Sequence, residues 1–182
     1  MNRPSQDGAL RRRLQEVTEA EDGLQYLALL NAATRECPNT IALLDSPYQI
    51  ERYTCFVHVF EFTEKPEYAA IASRGFNVVF AGPTFAHWLL DKQLLTEVLE
   101  AEAREGDLVF YFNDEGRVKH AGLNLGSHRV ESKWGKGNLF QHALFEVPES
   151  YGVKARFFKK LPYEKAFEYF TRFAKENGMF LD

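Results

Sequence analysis

Residues 106–133 constrain the fold more than any other stretch. Residues 107–112 form an apolar, aromatic-rich run. Asn113-Asp114-Glu115-Gly116 follows with hairpin-turn chemistry, the glycine supplying a positive φ. Residues 118–125 read as the partner strand, Gly126-Ser127 as a second turn and residues 128–133 as a third short strand. Short strands joined by tight turns pair antiparallel with their neighbours, so this part of the chain predicts a β-meander. Trp134-Gly135-Lys136-Gly137 and residues 148–152 read as loops, and residues 153–158 alternate as a last strand.

The flanking segments carry helical patterns. Residues 9–20 are polar and show no strong apolar stripe. Leu24, Leu27, Ala28, Leu30 and Ala32 fall close to helical spacing, Gly23 marks a break before them, and Pro38 ends the helix near Glu36. Residues 1–44 are therefore expected to form a helical arm, and residues 45–182 the main domain. Residues 53–62 fit two templates, because Tyr53, Phe56, Val57 and Phe60 match a helix while Phe56, His58, Phe60 and Phe62 match a strand. Residues 66–74 predict a short helix with Gly75 as its cap, and residues 76–81 a buried strand or connector. A helix from Pro83 presents Leu89, Leu90, Leu94, Leu95, Val98 and Leu99, with Gly106 as its stop. A closing helix over residues 162–175 buries Ala166, Phe167, Phe170, Phe173 and Ala174, with Gly178 as cap. The expected class is α+β, a helical layer packed on an antiparallel meander.

Composition narrows the partners. The chain has 182 residues, 45% of them hydrophobic, with 16 Phe and 8 Tyr, enough for one aromatic-rich core. A net charge of −4 speaks against a nucleic-acid binder. No apolar run reaches the length of a membrane span, and residues 1–15 lack the apolar region of a secretory leader. Cys37 and Cys55 are too few for a disulfide framework and fit no zinc spacing. The expectation is a reduced, cytoplasmic protein with no metal and no cofactor.

The local chemistry centres on Cys55. A thiol nucleophile needs a histidine within reach and a polar group to orient that histidine. His120, on the central strand of the meander, is the candidate base. Read as a helix, residues 53–62 place Cys55 in a first turn, where unpaired N–H groups favour a thiolate; read as a strand, they remove that support.

At these residues a resemblance enters. Gly106-Asp107-Leu108-Val109-Phe110-Tyr111-Phe112, a turn, and Lys119-His120-Ala121-Gly122-Leu123-Asn124-Leu125-Gly126 resemble the core of the NlpC-type, papain-like cysteine peptidases and amidases. Ser132-Lys133-Trp134-Gly135, Gln141-His142-Ala143-Leu144 and Tyr151-Gly152 resemble an uncharacterised NlpC-like branch with a Tyr-Asn-Cys-like motif, here Tyr53-Thr54-Cys55. The likeness runs over roughly residues 53–158. It implies a papain-like fold with Cys55 as nucleophile, His120 as base and Ser132 as third member, with His142 or Asn124 as alternatives for that role. Tyr53, His142 and Trp134 become candidate substrate contacts. Backbone N–H groups near Cys55 would hold the oxyanion, with Tyr53 or Tyr48 assisting. The implied activity is hydrolysis of a peptide or amide through an acyl-enzyme.

The chain departs from that pattern after the nucleophile, where bulky Phe56, Val57 and His58 replace small residues. Ser132 also orients an imidazole less firmly than a stronger polar group. A second expectation follows, a catalytically silent NlpC-like binding or regulatory protein, with a partner protein in place of a substrate. His58 shares a helical face with Cys55 and reads as a space-filling histidine. Gly135-Lys136-Gly137 lacks the length and the Ser/Thr of a phosphate loop.

Overall fold

The computed structural model describes residues 4–20, 23–49, 53–72, 79–135 and 137–178. In chain order these form α1 (Pro4–Thr18), α2 (Gly23–Glu36), β1 (Ala42–Leu44), α3 (Cys55–Val59), α4 (Pro66–Ala72), α5 (Pro83–Asp91), β2 (Glu97–Val98), β3 (Leu108–Phe112), β4 (Val118–Gly126), β5 (Arg129–Lys133), β6 (Leu139–Ala143), β7 (Lys154–Phe158) and α6 (Tyr163–Glu176). Two single-turn 3₁₀ segments, Glu100–Glu102 and Glu149–Tyr151, lie between strands. The class is α+β, and the seven strands form one antiparallel sheet ordered β1-β6-β5-β4-β3-β7-β2.

The meander is present as β3 to β6, each strand paired with the next. β7 then returns to the other side of β3, with Val109 opposite Phe157. The sheet is broader than the sequence patterns predict. β1 and β2 are too short to show a period, and β6 alternates buried Phe140 and His142, so a polar residue interrupts its apolar signal.

Helices cover both faces of the sheet, with the N-terminal arm forming a second layer. Alternation along β3 sends Leu108, Phe110 and Phe112 to one face and Val109 and Tyr111 to the other. The first face packs against α3, α4, α5 and α6 in an aromatic core where Phe85 lies 5.3 Å from Phe60, 5.4 Å from Phe170 and 5.3 Å from Phe173, centroid to centroid. The second face packs against α1 and α2. The absence of a stripe on α1 is corrected. Leu10, Leu14 and Val17, at i, i+4 and i+7, are all buried.

Residues 53–62 resolve as helical at Cys55–Val59, and the chain leaves α3 at Glu61, whose φ is 60°. Phe62 N–H there bonds the Val57 carbonyl at 2.9 Å, closing a Schellman-type turn without glycine. The same device ends α5 at Asp91 and overturns the longer helix expected up to Gly106. Gln93 has φ 54°, and Leu94 N–H reaches the Leu89 carbonyl at 2.9 Å. The chain then turns into β2. α4 and α6 fall close to expectation. Gly75, and residues 76–78 of the expected strand or connector, lie outside the described residues; residues 79–82 are irregular.

Candidate functional site

Cys55 opens α3 because Thr54, extended at φ −106° and ψ 173°, caps the helix and its hydroxyl accepts from Val57 N–H at 3.4 Å. Phe56, Val57 and Val59 are buried, which seats the helix on the first face of the sheet with Cys55 at its edge. Some surface of the residue stays exposed, yet the sulfur is enclosed. That enclosure pushes the thiol up to about 11. Hydrogen bonding to backbone at Ala121 and Phe56 and the charge of Lys133 act downward without cancelling it.

His120 projects to the other face. It pairs with Tyr111 across β3 and β4, and the two rings lie 5.5 Å apart. Its neighbour Ala121 belongs to the first-face core. Tyr151 stacks on the imidazole at 4.0 Å with planes 25° apart. Burial holds His120 well below the ordinary histidine value, and His142 pushes the same way. Its Nε2 has no hydrogen-bond partner among the described residues. Cys55 and His120 share no hydrogen bond among those residues, so the expected pair is not joined in this conformation.

Ser132 serves a different histidine. His142 Nδ1 lies 2.8 Å from the Ala143 carbonyl, which accepts a proton only, so Nδ1 carries the hydrogen. Nε2 of the neutral ring is then an acceptor, and Ser132 Oγ donates to it at 2.7 Å. Ser132 Oγ in turn accepts from Trp134 Nε1–H at 3.0 Å. All three side chains are buried, and burial pushes His142 down to about 4. The network is complete with every ring neutral. Ser132 therefore does not orient His120, and Trp134 and His142 are core residues of the second face rather than open substrate contacts. Asn124, the other alternative, donates to the Arg104 carbonyl at 3.0 Å and accepts from Gly126 N–H at 3.2 Å.

Tyr53 is buried and its hydroxyl shares a 2.6 Å hydrogen bond with Ser46 Oγ. Its ring carries a cation overhead, Lys133 Nζ at 5.0 Å from the centroid. Lys133 is fully buried and donates to the Gly135 carbonyl at 2.8 Å. Lys133 and Tyr151 both stand beside the predicted pair, and sequence reasoning gave neither a role. The signal was present, since both belong to the motifs that carry the family resemblance. His58 Nε2–H donates to Glu131 at 2.8 Å beside a cleft of about 350 Å³, where Glu61 and Lys65 offer charges of both signs and Tyr48 and Thr63 offer hydroxyls. Among the described residues no group of three or more His, Cys, Asp or Glu could hold a metal.

The fold and site thus define an α+β domain in which an enclosed thiol at the start of α3 and a buried imidazole on β4 both lie beside Tyr151, whose ring stacks on the imidazole and whose hydroxyl feels the charge of the sulfur. The chain belongs to the family described as a domain of unknown function (DUF7689), which matches residues 44–159, more than half of its length. No curated protein and no solved structure matches the chain. The matched stretch holds the sheet from β2 to β7 together with α3, α4 and α5, and leaves α1, α2 and α6 outside.

Proposed function

We propose that this chain is an NlpC-like binding or regulatory domain that carries out no thiol chemistry in the conformation described. The observation that carries the reading is that the two groups are both enclosed and share no hydrogen bond among the described residues. The Cys55 sulfur is enclosed with its pKa pushed up to about 11, and His120 is buried under the stacked Tyr151 ring. A nucleophile needs a thiolate near neutral pH and a base hydrogen-bonded to it, and this arrangement supplies neither. The domain would act in a reducing compartment such as the cytoplasm, which suits its two free cysteines. Its partner would be a protein or peptide.

A second reading keeps Cys55 as the nucleophile of a peptide or amide hydrolase. It is favoured by one observation, the buried Lys133 whose charge acts to lower the thiol. That reading requires His120 to form a hydrogen bond with the sulfur that this conformation lacks.

Alkylation by iodoacetamide as a function of pH separates the two, with Cys37 as the internal reference. The binding reading expects Cys55 to stay unreacted well above the ordinary thiol pKa of ~8.5. Alkylation of Cys55 faster than Cys37 near neutral pH, with the excess lost in His120→Ala, would overturn it.

A further inference from the structure

The loop between α3 and α4 is anchored on one side and carries its polar groups on the other. Phe62 is buried, and its ring packs on Phe60, Tyr68 and Phe170 with centroids 5.8, 4.9 and 5.5 Å away. Lys65 N–H closes the turn on the Phe62 carbonyl at 3.2 Å. With Phe62 in the core, Glu61, Thr63 and Lys65 line the cleft of about 350 Å³, and Tyr48, His58 and Leu123 complete its wall. That volume lies near the lower end of small-molecule sites, about 300–1,000 Å³, so the cleft suits a small ligand.

The polar groups of the wall have definite roles. The Glu131 carboxylate only accepts, so His58 Nε2 carries the hydrogen they share at 2.8 Å, and Nδ1 of the neutral ring is an acceptor. Glu61 Oε1 accepts from the Lys160 ammonium. The Lys65 ammonium lies over the Tyr163 ring, 4.6 Å from its centroid, and Glu67, a carboxylate that feels its charge, accepts from the Tyr163 hydroxyl. Two carboxylates, Glu61 and Glu131, and two ammoniums, Lys65 and Lys160, leave this surround with no net formal charge. A simple anion would meet Glu61 and a simple cation would meet Lys65, whereas a ligand bearing both charges finds a partner for each.

We propose that this cleft binds a free α-amino acid with an apolar side chain. The ligand's ammonium donates to Glu61 and to His58 Nδ1. Its carboxylate accepts from Lys65 and from the hydroxyls of Thr63 and Tyr48, and its side chain lies on Leu123. Glu131 is a positioning residue that keeps the His58 ring in its accepting tautomer. The site goes beyond the binding reading above, whose partner is a protein or peptide, and stands whether or not Cys55 reacts.

A ¹H–¹⁵N NMR titration of the full chain with leucine tests the site. Amides of residues 58–65 and of Leu123 are expected to shift and saturate with a Kd of about 1 mM or tighter. N-acetylleucine lacks the ammonium and leucinamide lacks the carboxylate, so each should bind at least ~10-fold more weakly. Glu61→Gln should abolish the difference between leucine and N-acetylleucine, and Lys65→Gln the difference between leucine and leucinamide. The ligand series on the natural chain decides the matter even if a variant fails to fold. Absence of a saturable shift with leucine up to ~20 mM overturns the proposal. Equal binding of leucine and its two capped forms also overturns it, and tighter binding of the dipeptide Ala-Leu than of leucine overturns the choice of a free amino acid. Cys55 alkylation in the same samples keeps the two readings apart. A reactive Cys55 with saturable leucine binding sinks the binding reading alone, and an inert Cys55 with no leucine binding sinks the amino-acid site alone.

Discussion

Ser132→Ala separates a structural serine from a catalytic one. In the folded protein Ser132 Oγ accepts from Trp134 Nε1–H at 3.0 Å and donates to His142 Nε2 at 2.7 Å. Both partners are buried, and the second ring nitrogen of His142 is committed to the Ala143 carbonyl. Removing one oxygen therefore strands an indole N–H and an imidazole acceptor at once. A buried polar group left unsatisfied costs about 1–3 kcal/mol, so the pair costs about 2–5 kcal/mol. His142 cannot escape by taking a proton, because burial holds it down to about 4. For a chain of this length the change lowers Tm by roughly 5–15 °C. Urea unfolding followed by Trp fluorescence reads the midpoint, and the slope of the transition shows whether compactness changed. A loss below about 0.5 kcal/mol would mean that the network does not hold the core, and the neutral-tautomer assignment behind it would fail.

Three further outcomes follow from the same geometry. Burial depresses His142 to about 4 and holds His120 well below its ordinary value, so between those values and about 6.5 the unfolded chain binds more protons than the folded one. Stability is then full above about pH 6.5 and falls as pH drops, with His142 alone removing about 2 kcal/mol between roughly pH 7 and 5; unchanged urea midpoints across that range would refute the assignment. Gly122→Ala would place a Cβ 2.5 Å from Val130 Cγ1 and 2.8 Å from the Glu131 carbonyl oxygen, so we expect about 1–3 kcal/mol of destabilisation by urea titration. Phe85→Ala empties the centre of the first-face aromatic core and should cost about 3–5 kcal/mol, whereas a loss under about 1 kcal/mol would show that the ring sits in a collapsible site.

The parts of the fold that were legible are those whose signals are local. The hairpin at residues 113–116 follows from its turn residues, and the buried stripe of α6 from its 3.6-residue period. The missed parts depended on distant partners. Leu10, Leu14 and Val17 look sparse on a charged helix until Val147 and the second sheet face are seen beside them. The ends of α3 and α5 use Glu61 and Gln93 in left-handed backbone, where the usual signal is glycine. At the site, alternation along β4 was available in the sequence and already separates His120 from Ala121 by face. Which face α3 covers was not available, because it depends on how the chain crosses the sheet. The commitment of Ser132 to His142 has the same origin, since β5 and β6 set their spacing through the pairs Val130–His142 and Ser132–Phe140.

The two margins of the sheet have a bearing on self-association. They are finished by its two shortest strands, β1 with three residues and β2 with two. An oncoming extended chain would find only a stub of free N–H and C=O groups at either border, too short to template a fibril-like stack. The long aromatic strand β3 and its partner β4 are shut between neighbours.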